Sequence, residues 1–241
     1  MSDLCTLLPW DSEHWGFPVA RITAHRLTQD AARQAIEWCE RRKVRCLYFA
    51  ADGRCAQTLQ CAAANGFRFV DMRVDMEKCS TEELADGADG NCRDAVPEDL
   101  TALKQMARTA HEDTRFFKDM NFDRLKAGDL YALWIERDLR EHKVIAAVAA
   151  ENPLNLLGYA SASTSGSHGG RIGLVAVSPE VRGRGLGRLL VQRALGWCRS
   201  CGADSVRVAT QGTNVPALRL YENCGFRVVD VKVWFHRWFT E

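Results

Sequence analysis

No stretch of this 241-residue sequence approaches the ~20 consecutive apolar residues that a helix needs to cross a bilayer, and no early apolar run reaches the length of a secretory signal. The expectation is a soluble, cytoplasmic protein without a membrane partner. An excess of charge is missing too: 32 basic residues face 31 acidic ones, a net charge of +1, so no global field selects nucleic acid as a partner. Metal-ligand spacing is absent, because no His-x-x-x-His occurs and Cys198-x-x-Cys201 has no second Cys-x-x-Cys to complete a zinc site. Those two cysteines close a helix, where the dipole disfavours a thiolate, so they do not read as a redox pair either. The ten cysteines in all read as small hydrophobes in a reducing compartment, since a chain long enough for a sizeable core needs no covalent staples. Two phosphate-binding signatures also fail: no Gly-Lys-Ser/Thr is present, and Arg188 stands where a dinucleotide fingerprint requires glycine.

What is present is concentrated in one stretch. Ile172 to Val177 is an apolar, β-branched run that reads as a buried strand, Pro179 ends it, and a turn carrying Gly183, Gly185 and Gly187 opens an apolar helix running to about Cys198. Glycines let a backbone fold closely about a ligand, and the exposed N–H groups of a helix start point at negative charge. Arg182, Arg184 and Arg188 add planar donors matched to phosphate oxygens, so a diphosphate is the natural guest. Downstream, Val206 to Thr210 reads as the next strand and Asn214 to Phe226 as a capped helix ending at Gly225.

Arg182-x-x-Gly185-x-Gly187 after a Val-x-Val-x-Pro strand resembles the acyl-CoA loop of the GCN5-related N-acetyltransferases (GNATs), and Asn214-x-x-Ala217-x-x-x-Tyr221-x-x-x-Gly225-Phe226 is similar to a second segment of that family. The resemblance implies an α/β fold with a mixed, mostly antiparallel central sheet flanked by helices. It implies acetyl-CoA as acyl donor, held by Val175, Ala176 and Val177, by the turn from Arg182, Gly183, Arg184 and Gly185 through Leu186, Gly187 and Arg188, and by Asn214 and Ala217. It also implies that Tyr221 is the general acid that protonates the leaving thiolate, although a helix tyrosine at this position can equally be core. One departure matters: many relatives carry a carboxylate on the central strand, yet Gly170 to Val177 contains no Asp, Glu or His. The base then comes from the N-terminal half or a water chain, or the amine sheds its proton to solvent, with His14 and His168 as weaker candidates.

The opening Trp10-Asp11-Ser12-x-x-Trp15-Gly16-Phe17 is similar to that of GNATs acting on nucleotide-linked 4-amino-6-deoxy sugars, and an Arg-Phe pair like Arg115-Phe116 occurs in the corresponding place in that subgroup. Trp10 and Trp15, read as loop residues, either plug the core or touch ligand. Arg115 suits phosphate and Phe116 a base, while Tyr131, on a helix expected over 123–137 with Trp134, is either core or a ligand platform. The expected reaction is acetylation of the 4-amino group of a dTDP-linked 4-amino-4,6-dideoxyhexose. Another small amine, a protein N-terminus, or a non-catalytic acyl-CoA sensor are the alternatives, and a homodimer is left open.

The rest of the chain reads as strand 19–24, helix 28–42, strand 46–50, helix 54–65 and strand 67–77, then a polar, Gly-rich linker at 81–91, helix 97–110, a polar and aromatic loop 111–119, strands 143–149 and 156–163, and a final strand 228–239. Gly66-Phe67-Arg68-Phe69-Val70-Asp71 matches Gly225-Phe226-Arg227-Val228-Val229-Asp230 at an offset of 159. Either this is a chance match of a common ending, or residues 1–80 are a partial GNAT-like copy on the substrate side of a catalytic domain at 92–241. Ala62 stands where the second copy has Tyr221, and nothing before residue 80 resembles the glycine turn.

Overall fold

A computed structural model describes residues 4–79, 91–165 and 169–240. The expected linker, apart from Asn91, and His168 lie outside them. Two chain halves repeat one theme of strand, helix and strand. The first holds β1 (Cys5–Leu7), α1 (Pro9–Trp15), β2 (Val19–Ile22), α2 (Gln29–Arg41), β3 (Cys46–Asp52), α3 (Ala56–Ala64) and β4 (Arg68–Cys79). The second holds β5 (Cys92–Asp94), α4 (Leu100–Ala110), α5 (Arg115–Lys118), α6 (Arg124–Glu141), β6 (Lys143–Val148), β7 (Leu156–Ser165), β8 (Gly169–Val177), α7 (Leu186–Ser200), β9 (Ser205–Gln211), α8 (Val215–Asn223) and β10 (Arg227–Trp238).

Local chemistry sets the boundaries. Thr28 Oγ1 accepts from Ala31 N at 3.2 Å to open α2, and Asn214 Oδ1 accepts from Ala217 N at 3.0 Å to open α8. The aromatic stretch expected as loop is helical instead, because Pro9 starts α1 and Gly16, at φ 82°, ends it. The loop expected at 111–119 likewise contains the short helix α5.

The strands form one open sheet in the order β1-β2-β3-β10-β4-β9-β8-β7-β6-β5. Only β2–β3 and β8–β9 are parallel among its described pairs, so the mixed, mostly antiparallel sheet of the sequence reading is present. Alternate residues point to opposite faces. Cys46, Tyr48, Trp234 and Trp238 meet α1, α4 and α6 in one apolar cluster, whereas Leu47, Phe49, Val233 and Phe235 meet α2 and α3 in another. A third cluster joins α7 and α8 to Val74, Met76, Ile172 and Val208. Side chains such as Leu103, Leu130, Ile135 and Leu190 are fully buried, each stabilising the fold by roughly 1.5–3 kcal/mol.

The repeat extends well beyond six residues. An offset of 159 carries β3 onto β9, α3 onto α8 and β4 onto β10 with identical bounds. Arg73 is carried onto Lys232, and these two are direct partners in the antiparallel β4–β10 ladder, so a local two-fold axis passes between them. Hydrogen bonds obey the same operation. Lys78 Nζ donates to Cys224 O at the end of α8, as Arg237 Nη1 does to Asn65 O at the end of α3. Gly212 N donates to Met72 O at 2.8 Å, as Gly53 N does to Val231 O at 3.1 Å. The last strands are exchanged: β10 lies against β3, and β4 against β9.

Candidate active site

The parallel ladder between β8 and β9 runs only from Gly169–Ser205 to Arg171–Arg207, and residues 172–177 of β8 have no partner in β9. The cause is a bulge, where Gly173 and Leu174 together oppose Ser161 of β7 and bend β8 away. Ser161 Oγ accepts from Leu174 N at 2.9 Å, and a Cβ on Gly173 would stand 2.6 Å from that oxygen, so only glycine fits. The two strands therefore splay and open a wedge.

The glycine turn closes the upper end of β8. Arg182 Nε donates to Val177 O at 3.1 Å, pinning the turn to the strand. Gly183 and Gly185 sit at φ 77° and 82°, and no atom lies within 4 Å of a Cβ at either, so conformation rather than crowding demands glycine. Gly185 opens α7 without any side-chain cap, which leaves the first-turn N–H groups at Leu186, Gly187 and Arg188 facing outward. Arg184 and Arg188 are exposed and donate to no acceptor among the described residues. An uncapped helix start with left-handed glycines and unengaged guanidiniums fits the diphosphate of acetyl-CoA.

Below the turn, a cavity of about 250 Å³ lies between the splayed part of β8, β9, α8 and the α5–α6 segment. Tyr221 borders it, 5% exposed and edge-on to Phe226 at 5.8 Å. Its hydroxyl has no hydrogen-bond partner among the described residues, and burial lifts the phenol well above its ordinary value near 10, so it keeps its proton.

Residues 103–226 match the acetyltransferase (GNAT) family. Over 175 residues the chain is 32% identical to the dTDP-fucosamine acetyltransferase of Escherichia coli O6:H1, covering 71% of this chain and 72% of that protein. It belongs to the GNAT family. Spore coat polysaccharide biosynthesis protein SpsD of Bacillus subtilis is 27% identical over 59% of this chain and 48% of its own length. A GCN5-related N-acetyltransferase from Sphaerobacter thermophilus shares the fold, with a TM-score of 0.71, 17% identity, and 97% of this chain and 76% of that one covered.

Within this GNAT, Val175, Ala217, Tyr221 and Asn214 meet at the cavity, with the Asn214 carbonyl already engaged as the α8 cap. Ala176, by contrast, is buried in the core on the α4–α6 face, and Val177 packs towards α7. Arg115 borders the cavity too. Its guanidinium lies 4.1 Å from the centre of Trp234, 4.3 Å from Tyr48 and 4.2 Å from Phe116, and Nη1 donates to His236 Nε2 at 3.0 Å. Because arginine can only donate, His236 must carry its proton on Nδ1, which donates to Asp119 Oδ2 at 2.7 Å. Burial holds His236 neutral, at about 4, and Asp119 sits at about 2: burial alone would raise it, but hydrogen bonds from His236 and Trp238 outweigh that. The relay fixes Arg115 and leaves its remaining donors for ligand.

Phe116 and Tyr131 border the same cavity but are 2% and 4% exposed, and Tyr131 Oη donates to Thr114 Oγ1 at 2.7 Å. Trp15 and Trp10 are not brought to it. Trp15 is in the core, 4.3 Å from Phe122, while Trp10 is exposed and stacks on His14 and Trp134, the latter a cavity residue. His14, weighed as a base, bonds Lys126 O at 2.9 Å away from the cavity.

Sequence reasoning missed Asp71, Arg73 and His111, which also border the cavity. Burial raises the Asp71 carboxyl although Lys118 Nζ lies 2.6 Å away, and burial lowers His111 to about 4, with Nε2 3.1 Å from the Tyr159 hydroxyl. The available signal was the repeat itself: Asp71 closes its six-residue sequence match, and the strand that carries it is exchanged to the edge of the second half's wedge.

Proposed function

We propose that this GNAT transfers an acetyl group from acetyl-CoA to the 4-amino group of a nucleotide-linked 4-amino-4,6-dideoxyhexose, with dTDP as the nucleotide, in surface polysaccharide synthesis. The observation that carries the chemistry is the protonated, unengaged Tyr221 hydroxyl at the wedge below an uncapped α7. The acceptor rests on the likeness to the E. coli enzyme over most of the chain. The 3-residue turn Arg182 to Arg184 with Gly185 to Arg188 holds the donor's diphosphate, and backbone N–H groups on the β9-facing edge of β8, where β9 no longer pairs with it, face the thioester oxygen. The neutral amine attacks the carbonyl carbon, the carbon–sulfur bond breaks, and Tyr221 gives its proton to the departing sulfur. Asp71, a carboxylate from the N-terminal half whose affinity for protons is raised, accepts through water the proton lost by the amine and then releases it to solvent, from which the Tyr221 phenolate regains the proton it gave to sulfur.

Tyr221→Phe tests the reading, since it keeps the ring against Phe226 and deletes only the hydroxyl. Turnover should fall about 10²- to 10⁴-fold with acetyl-CoA affinity and melting temperature near wild type. A tyrosine that only packs gives the opposite pattern of lower stability with normal turnover. A chain that binds acetyl-CoA yet acetylates no amine is an acyl-CoA sensor, and the proposal then fails.

A further inference from the structure

The two-fold axis that relates the halves also relates the active cavity to a second cleft of about 640 Å³ on the same face of the sheet. Ala50 and Lys232 in the cleft correspond to Ala209 and Arg73 in the cavity, and Asp230 corresponds to Asp71. Arg21 and Arg171 also correspond, because they pair with Tyr48 and Arg207, which the offset of 159 relates. The cleft nonetheless lacks the acetyl-transfer machinery. Ala62 replaces Tyr221, and the six residues between β2 and α2 contain no glycine. Thr28 caps α2 with its own side chain, so the helix start that would hold a second acetyl-CoA is closed.

What the cleft has instead is positive charge and room. Arg21, Arg54, Arg73, Arg207 and Lys232 line it against two carboxylates, Asp75 and Asp230. Asp52, Asp75, Glu77 and Asp230 engage four of the five cations, and Arg21 donates to no acceptor among the described residues. The active cavity, at about 250 Å³, falls below the ~300 Å³ at which sites for drug-sized ligands begin, whereas the cleft lies well inside that range. Arg73 and Trp234 border both spaces, which makes them neighbours. From β8, where the amine must sit, to the backbone of Arg73 on β4 is two strand spacings, ~10 Å, a span bridged by one hexose ring, its anomeric phosphate and the reach of the Arg73 side chain.

We propose that the degenerate copy's cleft seats the nucleoside diphosphate of the acceptor, its phosphates across Arg73 and Lys232 and its nucleoside towards Arg21. The inference rests on the acceptor class proposed above. The test is calorimetric titration of dTDP into the full chain saturated with acetyl-CoA, comparing wild type with the double variant Arg21→Gln/Lys232→Gln. Binding of dTDP should weaken more than tenfold in the variant with acetyl-CoA affinity unchanged, while Arg21→Lys/Lys232→Arg, which keeps both charges, should retain dTDP. Equal dTDP affinity in wild type and the Gln variant overturns the proposal. So does competition between dTDP and acetyl-CoA, or inorganic pyrophosphate binding as tightly as dTDP, which would leave the nucleoside without a seat. If dTDP binding depends on both cations but no nucleotide-linked amino sugar is acetylated, the cleft stands and the acceptor reading falls. If acetylation proceeds and dTDP ignores the cations, only the cleft falls.

Discussion

Acid should loosen this protein through His236 before most of its carboxylates protonate. The ring is wholly buried and neutral, with its pKa lowered to about 4 chiefly by burial, against ~6.5 for an unfolded histidine. Because the folded value is the lower one, the unfolded chain takes up a proton that the folded chain refuses, and stability is lost as pH falls from 6.5 towards 4. Between pH 7.5 and 5.0 that linkage is worth roughly 2 kcal/mol, a large part of the ~5–15 kcal/mol typical of a folded protein. His111, partly open to the cavity and also lowered to about 4, adds in the same direction. Asp11 and Asp71 oppose it, since burial raises their carboxyls above the unfolded value and acid then favours the fold. A difference isolates the term: guanidinium denaturation of wild type and His236→Gln, each at pH 7.5 and 5.0. The amide keeps a donor for Asp119 but does not titrate. Wild type should lose roughly 2 kcal/mol more than the variant across this interval, and equal losses would refute the assignment of a neutral, proton-refusing His236.

Gly185→Val should weaken acetyl-CoA binding more than tenfold in calorimetry, above about 1.4 kcal/mol, because a β-branched residue is strained at φ 82° and crowds the open side of the turn. A fragment beginning at Asn91 should not fold on its own, as judged by circular dichroism and a thermal transition, since β10 would lose β3 and β4 together. Asp71→Asn should lower kcat and remove the acidic limb of the pH–rate profile, while a profile identical to wild type would assign the proton transfer to solvent.

The wedge and turn were legible because their signals are local: β-branched residues for β8, glycines at left-handed positions, and a side-chain cap for α8. Helix α1 was not, because a seven-residue helix has too few turns to show a period, and its aromatic density mimics a loop. Asp71 was missed for a different reason. Attention to β8 assumes that the wedge is walled by sequence neighbours, whereas Asp71 and Arg73 reach it from β4, about a hundred residues earlier. Arg115 was found, but its aromatic seat on Tyr48 and Trp234 and its tether to His236 depend on long-range pairing that no spacing encodes. Trp15 illustrates the converse, a motif residue whose side chain belongs to the core.

The strand exchange makes the first half of the chain part of the second half's sheet. Had β4 stayed beside β3, the first copy would form a separable sheet and could be lost with little effect on the wedge. Inserted between β10 and β9, it supplies the Asp71 and Arg73 wall of the candidate cavity and one ladder partner to each of those two strands. Ala62 is fully buried, and Thr28 closes the start of α2, so these two sites now serve packing and capping. No single substitution would build a second transfer site there: a phenol at position 62 would overpack the core around Phe49 and Phe67, and an opened α2 would still lack the glycine turn that a diphosphate needs.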